Sequence, residues 1–183
     1  MAQNGSGGGM ELELVEYAPT MEHDINLLQW WSHLLASGDL AAVFSPSAHT
    51  LSRFYETFQP PTALVYGADN HGIVVAVWFK PFLNAATLGL WIREDYRHRQ
   101  WWLTVGEALR RAFRVVPLLL FTTKSPAASA AARDSGFTML GTIPYLLDGE
   151  AAEVGFLTRE RFCIEFERAT GRAPYDNEVS AHV

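Results

Sequence analysis

Apolar residues recur along this chain with two different periods, and the changes of period mark out its elements. Over 11–17, Leu12 and Leu14 alternate with acidic residues, the period-two pattern of a strand with one buried face. Pro19 and Thr20 end it. Over 24–35 the spacing becomes helical: Ile25, Leu28, Trp31 and Leu35 recur as one face, and Gly38 follows as a stop. A second amphipathic helix is predicted over 47–58, with Leu51, Phe54, Tyr55 and Phe58 on one side and Pro60-Pro61 closing it. Strands follow at 62–67 and 73–79, flanking the turn Asp69-Asn70-His71-Gly72, and a third lies at 86–92. Helical spacing returns over 97–114, with Trp101, Val105, Ala108, Leu109 and Ala112 as the buried stripe. The continuous apolar run at 117–122 is the pattern of a central strand covered on both faces. Ser125-Pro126 then supplies an N-cap and a first-turn proline for a helix that stops at Gly136. Strands at 137–147 and 152–158 are joined by the hairpin signal Asp148-Gly149, and a last helix is predicted over 159–169.

Strands separated by helices need long crossovers, whereas hairpins need antiparallel pairs. The order β, α, α, β, β, β, α, β, α, β, β, α therefore predicts an α/β (α+β) fold: a mixed, mostly antiparallel central sheet with helices on both faces. One domain over 11–169 is expected, with 1–10 as a flexible Gly-rich tail and 170–183 as a C-terminal tail.

Composition narrows the function classes. The chain is 49% apolar and 13% aromatic over 183 residues, enough to build a core and too much for a disordered segment. No apolar run approaches the ~20 residues of a membrane span, and the first ten residues lack the basic and apolar regions of a signal peptide, so no membrane partner is expected. Cys163 is the sole cysteine, which fits a reducing, cytoplasmic compartment. No Cys/His cluster has zinc spacing, so no metal is expected. A net charge of -6 disfavours nucleic acid as a partner. The cations are unevenly placed, however. From Arg97 to Arg114 there are five arginines (97, 99, 110, 111 and 114) against one acid, Glu107, a local excess of four. Arginine's planar fork suits phosphate, and a helix start adds unpaired amides and a favourable dipole. A solvated helix face is the plainer reading of the same cluster.

The element order and three local segments resemble the GNAT superfamily of acyl-CoA-dependent N-acyltransferases over roughly 11–158. The stretch Leu90-Trp91-Ile92-Arg93-Glu94-Asp95-Tyr96-Arg97 is similar to the end of the family's fourth strand and the start of its pyrophosphate loop. The helix from Ser125 ending in Gly136-Phe137 and the closing hairpin at Asp148-Gly149 stand in the expected places. The resemblance implies acetyl-CoA as a substrate, bound where two neighbouring strands splay. It implies strand contacts at Leu90, Trp91 and Ile92, and loop contacts at Arg97, His98, Arg99, Gln100 and Trp102. Ser125 falls where the family often carries an asparagine. A small-molecule or peptide amine is the implied acceptor.

The sequence departs from the family in two places. The loop's small positions hold Gln100 and Trp102, although small residues let a backbone approach phosphates closely. The tyrosine that protonates the leaving thiolate, seven positions after the asparagine, is replaced by Ala132. Tyr145 on the following strand, and Tyr96 beside the loop, are the alternative acids. The general base is open among His98, His71, Glu94 and Asp95. Cys163, beside Phe162 and Phe166, reads as a small buried hydrophobe. Two functions follow from these residues: an N-acetyltransferase, or a catalytically inactive module with a protein partner, a homo-oligomer or a large assembly such as a virion as its setting.

Overall fold

The computed structural model describes residues 12–44, 46–96, 101–147 and 149–175, the side chains at 47 and 101–104 excepted. Seven strands form one sheet: β1 (Leu14–Glu16), β2 (Ala63–Asp69), β3 (Gly72–Phe82), β4 (Ala85–Ile92), β5 (Leu118–Thr123), β6 (Thr138–Leu147) and β7 (Glu150–Thr158). Their order across the sheet is β1-β2-β3-β4-β5-β7-β6. Among the described residues only β4 and β5 pair in parallel. Their crossover carries α4 (Trp101–Val115). The other helices are α1 (Met21–Ser37), α2 (Asp39–Val43), α3 (Leu51–Thr57), α5 (Pro126–Asp134) and α6 (Arg159–Thr170). This is the mixed, mostly antiparallel sheet expected from the element order.

Local signals set the helix limits. The hydroxyls of Thr20, Thr50, Ser125 and Thr158 cap α1, α3, α5 and α6 by accepting from the amides of His23, Arg53, Ala128 and Arg161. Gly38 closes α1 at φ 81°, a left-handed conformation that glycine adopts without strain. The helix expected over 47–58 is shorter. A 3-10 turn at Pro46–Ala48 precedes it, and Thr50 supplies the cap that starts α3 at Leu51.

The expected face of α1 needs correction. Ile25, Leu28 and Leu35 are exposed, while Leu27, Trp30 and Leu34 are buried. The helix carries two apolar stripes, each with one tryptophan, and the one at 27, 30 and 34 turns into the core. The stripe of α4 is buried as expected at Val105, Ala108, Leu109 and Ala112. In β5 only Leu119 is fully buried, so the run at 117–122 is covered less completely than its pattern predicts.

Two cores flank the sheet. One joins α1, α2 and α3 to β2, β3 and β4 through Trp30, Phe44, Phe54, Phe58, Tyr66 and Trp91, and takes no residue from β5, β6 or β7. The other joins α4 and α6 to the opposite face through Leu109, Phe113, Leu119, Leu157 and Phe162. Beyond α6, in the segment expected to be a tail, Tyr175 packs against this second core and its hydroxyl donates to the Arg110 carbonyl at 3.3 Å. Among the described residues no helix is long and apolar enough to cross a membrane.

Candidate active site

The two edges of β4 differ. Toward β3 it is paired along its whole length, from Phe82↔Ala85 to Val75↔Ile92. Toward β5 the pairing runs only from Ala85↔Leu118 to Leu88↔Phe121. Residues 89–92 extend past the last shared pair, while β5 stays paired with β7 on its other edge from Leu118 to Thr123. The two parallel strands therefore part toward their C-terminal ends. The crevice beyond the carboxyl ends of parallel strands is where open α/β sheets bind ligands.

Side chains of a strand stand perpendicular to its sheet, so what β4 presents toward β5 is main chain. Its side chains hold that main chain in place from both faces. Trp91 is buried in the aromatic core, 5.6 Å from the Trp30 ring, and its indole Nε1 donates to Asp39 at 3.3 Å. His33 meets the same indole edge-on at 5.9 Å. Leu90 and Ile92 pack on the opposite core. Gly89 lies under the Trp78 indole, where a Cβ has no room.

A charged knot closes the C-terminal end of β4. The Arg93 amide donates to the Val74 carbonyl at 2.8 Å, carrying the ladder one step beyond the strand. Its guanidinium reaches the turn between β2 and β3, giving two hydrogen bonds to Asp69 at 2.6 and 3.3 Å, and two more to Asp95 at 2.7 and 3.0 Å. It also sits 5.1 Å from the centre of the Tyr96 ring, whose hydroxyl donates to Asp69 at 3.3 Å. The Asp69 carboxyl is held down at about 2, first by hydrogen bonding to Arg93 and then, against some desolvation, by the His71 amide and the Tyr96 hydroxyl. Arg93 is raised by its bonds to Asp95 and Asp69, and Asp95 is lowered by its bond to Arg93.

The sequence-derived site residues fall into separate groups. Leu90, Trp91 and Ile92 lie on the part of β4 beyond its last β5 pair. Ser125 starts α5 just after β5, its hydroxyl engaged as the cap. Arg97, His98, Arg99 and Gln100 lie outside the described residues, as do Glu11 and Asp148. Trp101 and Trp102 form the start of α4. Tyr96 closes a 3-10 turn, Glu94–Tyr96, directly after β4. Tyr145 does not join the others. It is exposed, at φ 57°, on the outermost strand β6, two strands beyond β5. Ala132 is buried on α5, so no acid replaces the family's tyrosine there.

Among the base candidates, His71 and Glu94 are exposed, and Asp95 is committed to Arg93. Burial pushes the Cys163 thiol up, away from nucleophilic use. Arg110 is spent on Glu107 at 2.8 Å, and Arg111 on the Leu14 carbonyl at 3.3 Å, so these two members of the arginine cluster serve the fold. A depression of about 220 Å³ beside the start of α5 is lined by Thr123, Lys124, Ser125, Ser129, Arg133 and Glu153. Its cations pair with Glu150 and Glu153.

Sequence reasoning missed the Asp69–Arg93 pair and the Trp91–Asp39 contact. The first had a signal. In a three-stranded meander the first and third strands run the same way, so the ends of β2 and β4 come to the same end of the sheet, and each carried an unassigned charge. The second had none, because Asp39 belongs to α2, which the periodicity did not predict.

No protein-family model matches the chain, and no curated protein matches it in sequence. Solved structures do match in shape. One is a ribosomal-protein-S5-alanine acetyltransferase from Vibrio fischeri, with TM-score 0.62 and 10% identity over 82% of this chain and 96% of that one. Another is a spermidine N-acetyltransferase from Vibrio cholerae, with TM-score 0.61 and 10% identity over 82% and 97%. A third is the Microcin C7 self immunity acetyltransferase MccE in complex with acetyl-CoA and AMP, with TM-score 0.61 and 13% identity over 80% and 92%. At these identities the likeness is one of fold, and the fold is the acetyltransferase fold that the resemblance to the GNAT superfamily implies.

Proposed function

We propose that this chain is an N-acetyltransferase that moves the acetyl group of acetyl-CoA to a primary amine, acting as a single domain over 11–169. The observation that carries the reading is the parting of β4 from β5 beyond Leu88↔Phe121. It leaves a main-chain edge at the carboxyl end of the one parallel pair in the sheet. Acetyl-CoA lies along that edge, with the backbone from Leu90 to Ile92 beside its pantetheine and acyl carbonyl. The pyrophosphate sits at the start of α4 against Arg97, His98, Arg99 and Gln100, with Trp102 next to them and Ser125 across the opening. A neutral amine attacks the acyl carbon. The C–N bond forms and the C–S bond breaks; the thiolate leaves and takes up a proton, and the proton lost by the amine passes to water. Proximity and polarisation of the carbonyl by fixed amides supply most of the acceleration.

Of the two tyrosines, Tyr96 is the proton donor this reading keeps, because it follows directly on β4. The acceptor is a small-molecule or peptide amine. The fold neighbours named for spermidine and for a protein's alanine span that range, and the net charge of -6 favours a cationic amine. The lone cysteine suits a cytoplasmic setting.

Calorimetry with acetyl-CoA, followed by a thiol-release assay over polyamines and N-terminal peptides, tests the proposal. Saturable heat and amine-dependent thiol release are expected, and the absence of both sinks it. The second reading is an inactive module working through a protein partner or as a homo-oligomer. The buried Ala132 favours it, and binding of acetyl-CoA without thiol release from any amine would select it.

A further inference from the structure

We infer that Asp69 and Arg93 are positioning residues, which aim the turn leaving the open edge of β4 and so set the affinity for the acyl carrier without touching it. The inference rests on the acetyltransferase reading and concerns that same site. Arg93 is the first residue past β4, and the Glu94–Tyr96 turn follows it. The guanidinium fixes three points at once: Asp69 on the neighbouring hairpin, Asp95 in the turn and the ring of Tyr96 at the turn's end. Asp69 is fixed in turn. It accepts from the His71 amide at 2.8 Å and from the Tyr96 hydroxyl.

Two features argue against a purely stabilising role, and a third against direct contact with a phosphate. The Arg93 and Asp69 side chains are only 15% and 9% exposed, and ion pairs so withdrawn from water recover little net stability over an apolar replacement. The planar fork, rather than the charge, is what the arrangement uses, since Nε and both terminal nitrogens are aimed at separate oxygens. The guanidinium also faces two carboxylates, which leaves it no net charge to offer a phosphate. What the knot accomplishes is geometric: it ties the turn after β4 to the β2–β3 hairpin.

The experiment compares the full chain with Asp69→Asn and Arg93→Lys, using Arg53→Ala, which breaks an exposed pair on α3, as a control. Initial rates are measured against acetyl-CoA and amine separately, and backbone amide exchange is measured without ligand. Asp69→Asn should raise KM for acetyl-CoA by about tenfold, leaving the amine KM within about twofold. Arg93→Lys should not rescue, because an ammonium lacks the fork. Exchange should rise at 93–96 and in the first turn of α4, and stay unchanged in β7 and α6. An unchanged KM in a protein that does turn over acetyl-CoA overturns the inference and leaves the acetyltransferase reading intact. Exchange that is unaltered, or faster everywhere, also overturns it. If the unmodified chain neither binds acetyl-CoA nor releases thiol, the acetyltransferase reading falls by itself. The exchange result then still decides whether the pair fixes the turn.

Discussion

The two faces of the sheet are packed by different means. Under α1, α2 and α3 the core is a nest of rings centred on Trp30, which meets Phe44, Phe54, Phe58, Trp78 and Trp91 at centroid distances of 5.3 to 6.2 Å. Under α4 and α6 it is mostly aliphatic, with Val65, Val74, Leu109, Leu119 and Leu157 around the Phe113–Phe162 pair. Rings have fixed shapes and few rotamers, so they hold neighbours in one arrangement. Branched aliphatics repack at lower cost. The strand bearing the candidate site is built into both: Trp91 and Gly89 face the rings, and Leu88, Leu90 and Ile92 face the aliphatics. The rigid face fixes where the main chain lies, and the softer one follows.

The largest expected effect comes from emptying the rigid face. Trp30→Ala should cost about 3–5 kcal/mol, and more than Leu109→Ala, as read by denaturant titration. Trp30→Phe should cost much less, because the indole Nε1 is buried with no partner among the described residues and its removal relieves that cost. Equal losses for Trp30→Ala and Leu109→Ala would erase the distinction between the faces.

Next come two glycines with similar crowding and different neighbours. A Cβ at Gly89 meets the Trp78 indole, and one at Gly155 meets chiefly the flexible Met139 side chain, with the Thr138 carbonyl oxygen farther off at 3.2 Å. Gly89→Ala should therefore cost about 1–3 kcal/mol and Gly155→Ala distinctly less. A reversed order in the same titration would show that Trp78 is free to move.

Ser125→Ala removes the cap of α5 and should lower stability by about 1 kcal/mol. A rise in KM for acetyl-CoA beyond that seen in Thr158→Ala, which uncaps α6, would assign the hydroxyl to the ligand as well.

The smallest effects are in titration. Burial and the Asp24 carboxylate push Tyr17 up to about 12, and Tyr175 reaches about 12 mainly by burial. A phenol whose folded value is raised stabilises fully below its unfolded value near 10, and that contribution is lost as pH climbs from about 10 to 12. Asp24→Asn should bring Tyr17 down and leave Tyr175 where it is, by ultraviolet absorbance titration. Movement of both would mean that the two environments are coupled through the sheet. Asp69 behaves in the opposite sense. Its folded value is depressed, so its contribution is present above about pH 4 and fades between about pH 4 and 2 in acid unfolding.

Much of the fold was legible because period and turn chemistry are local. The cap at Ser125, the stop at Gly38 and the stripe of α4 follow from neighbours within a few residues. What failed required knowing the partner surface. Two stripes compete on α1, and only the ring nest above β3 and β4 decides that Trp30 turns inward while Ile25 and Leu28 face water. Tyr145 was a plausible acid while its strand had no place in the sheet. The insertion of β7 between β5 and β6 puts it on the rim. The Asp69–Arg93 knot spans 24 residues and depends on register, which periodicity does not reveal.

The stretch of β4 beyond its last β5 pair has an evolutionary consequence. Recognition by amides and carbonyls makes no demand on residue type, provided the strand keeps its path. Selection on such an edge acts on the packing that steers it, and many packings steer alike. Chains can then drift to 10% identity while keeping one fold.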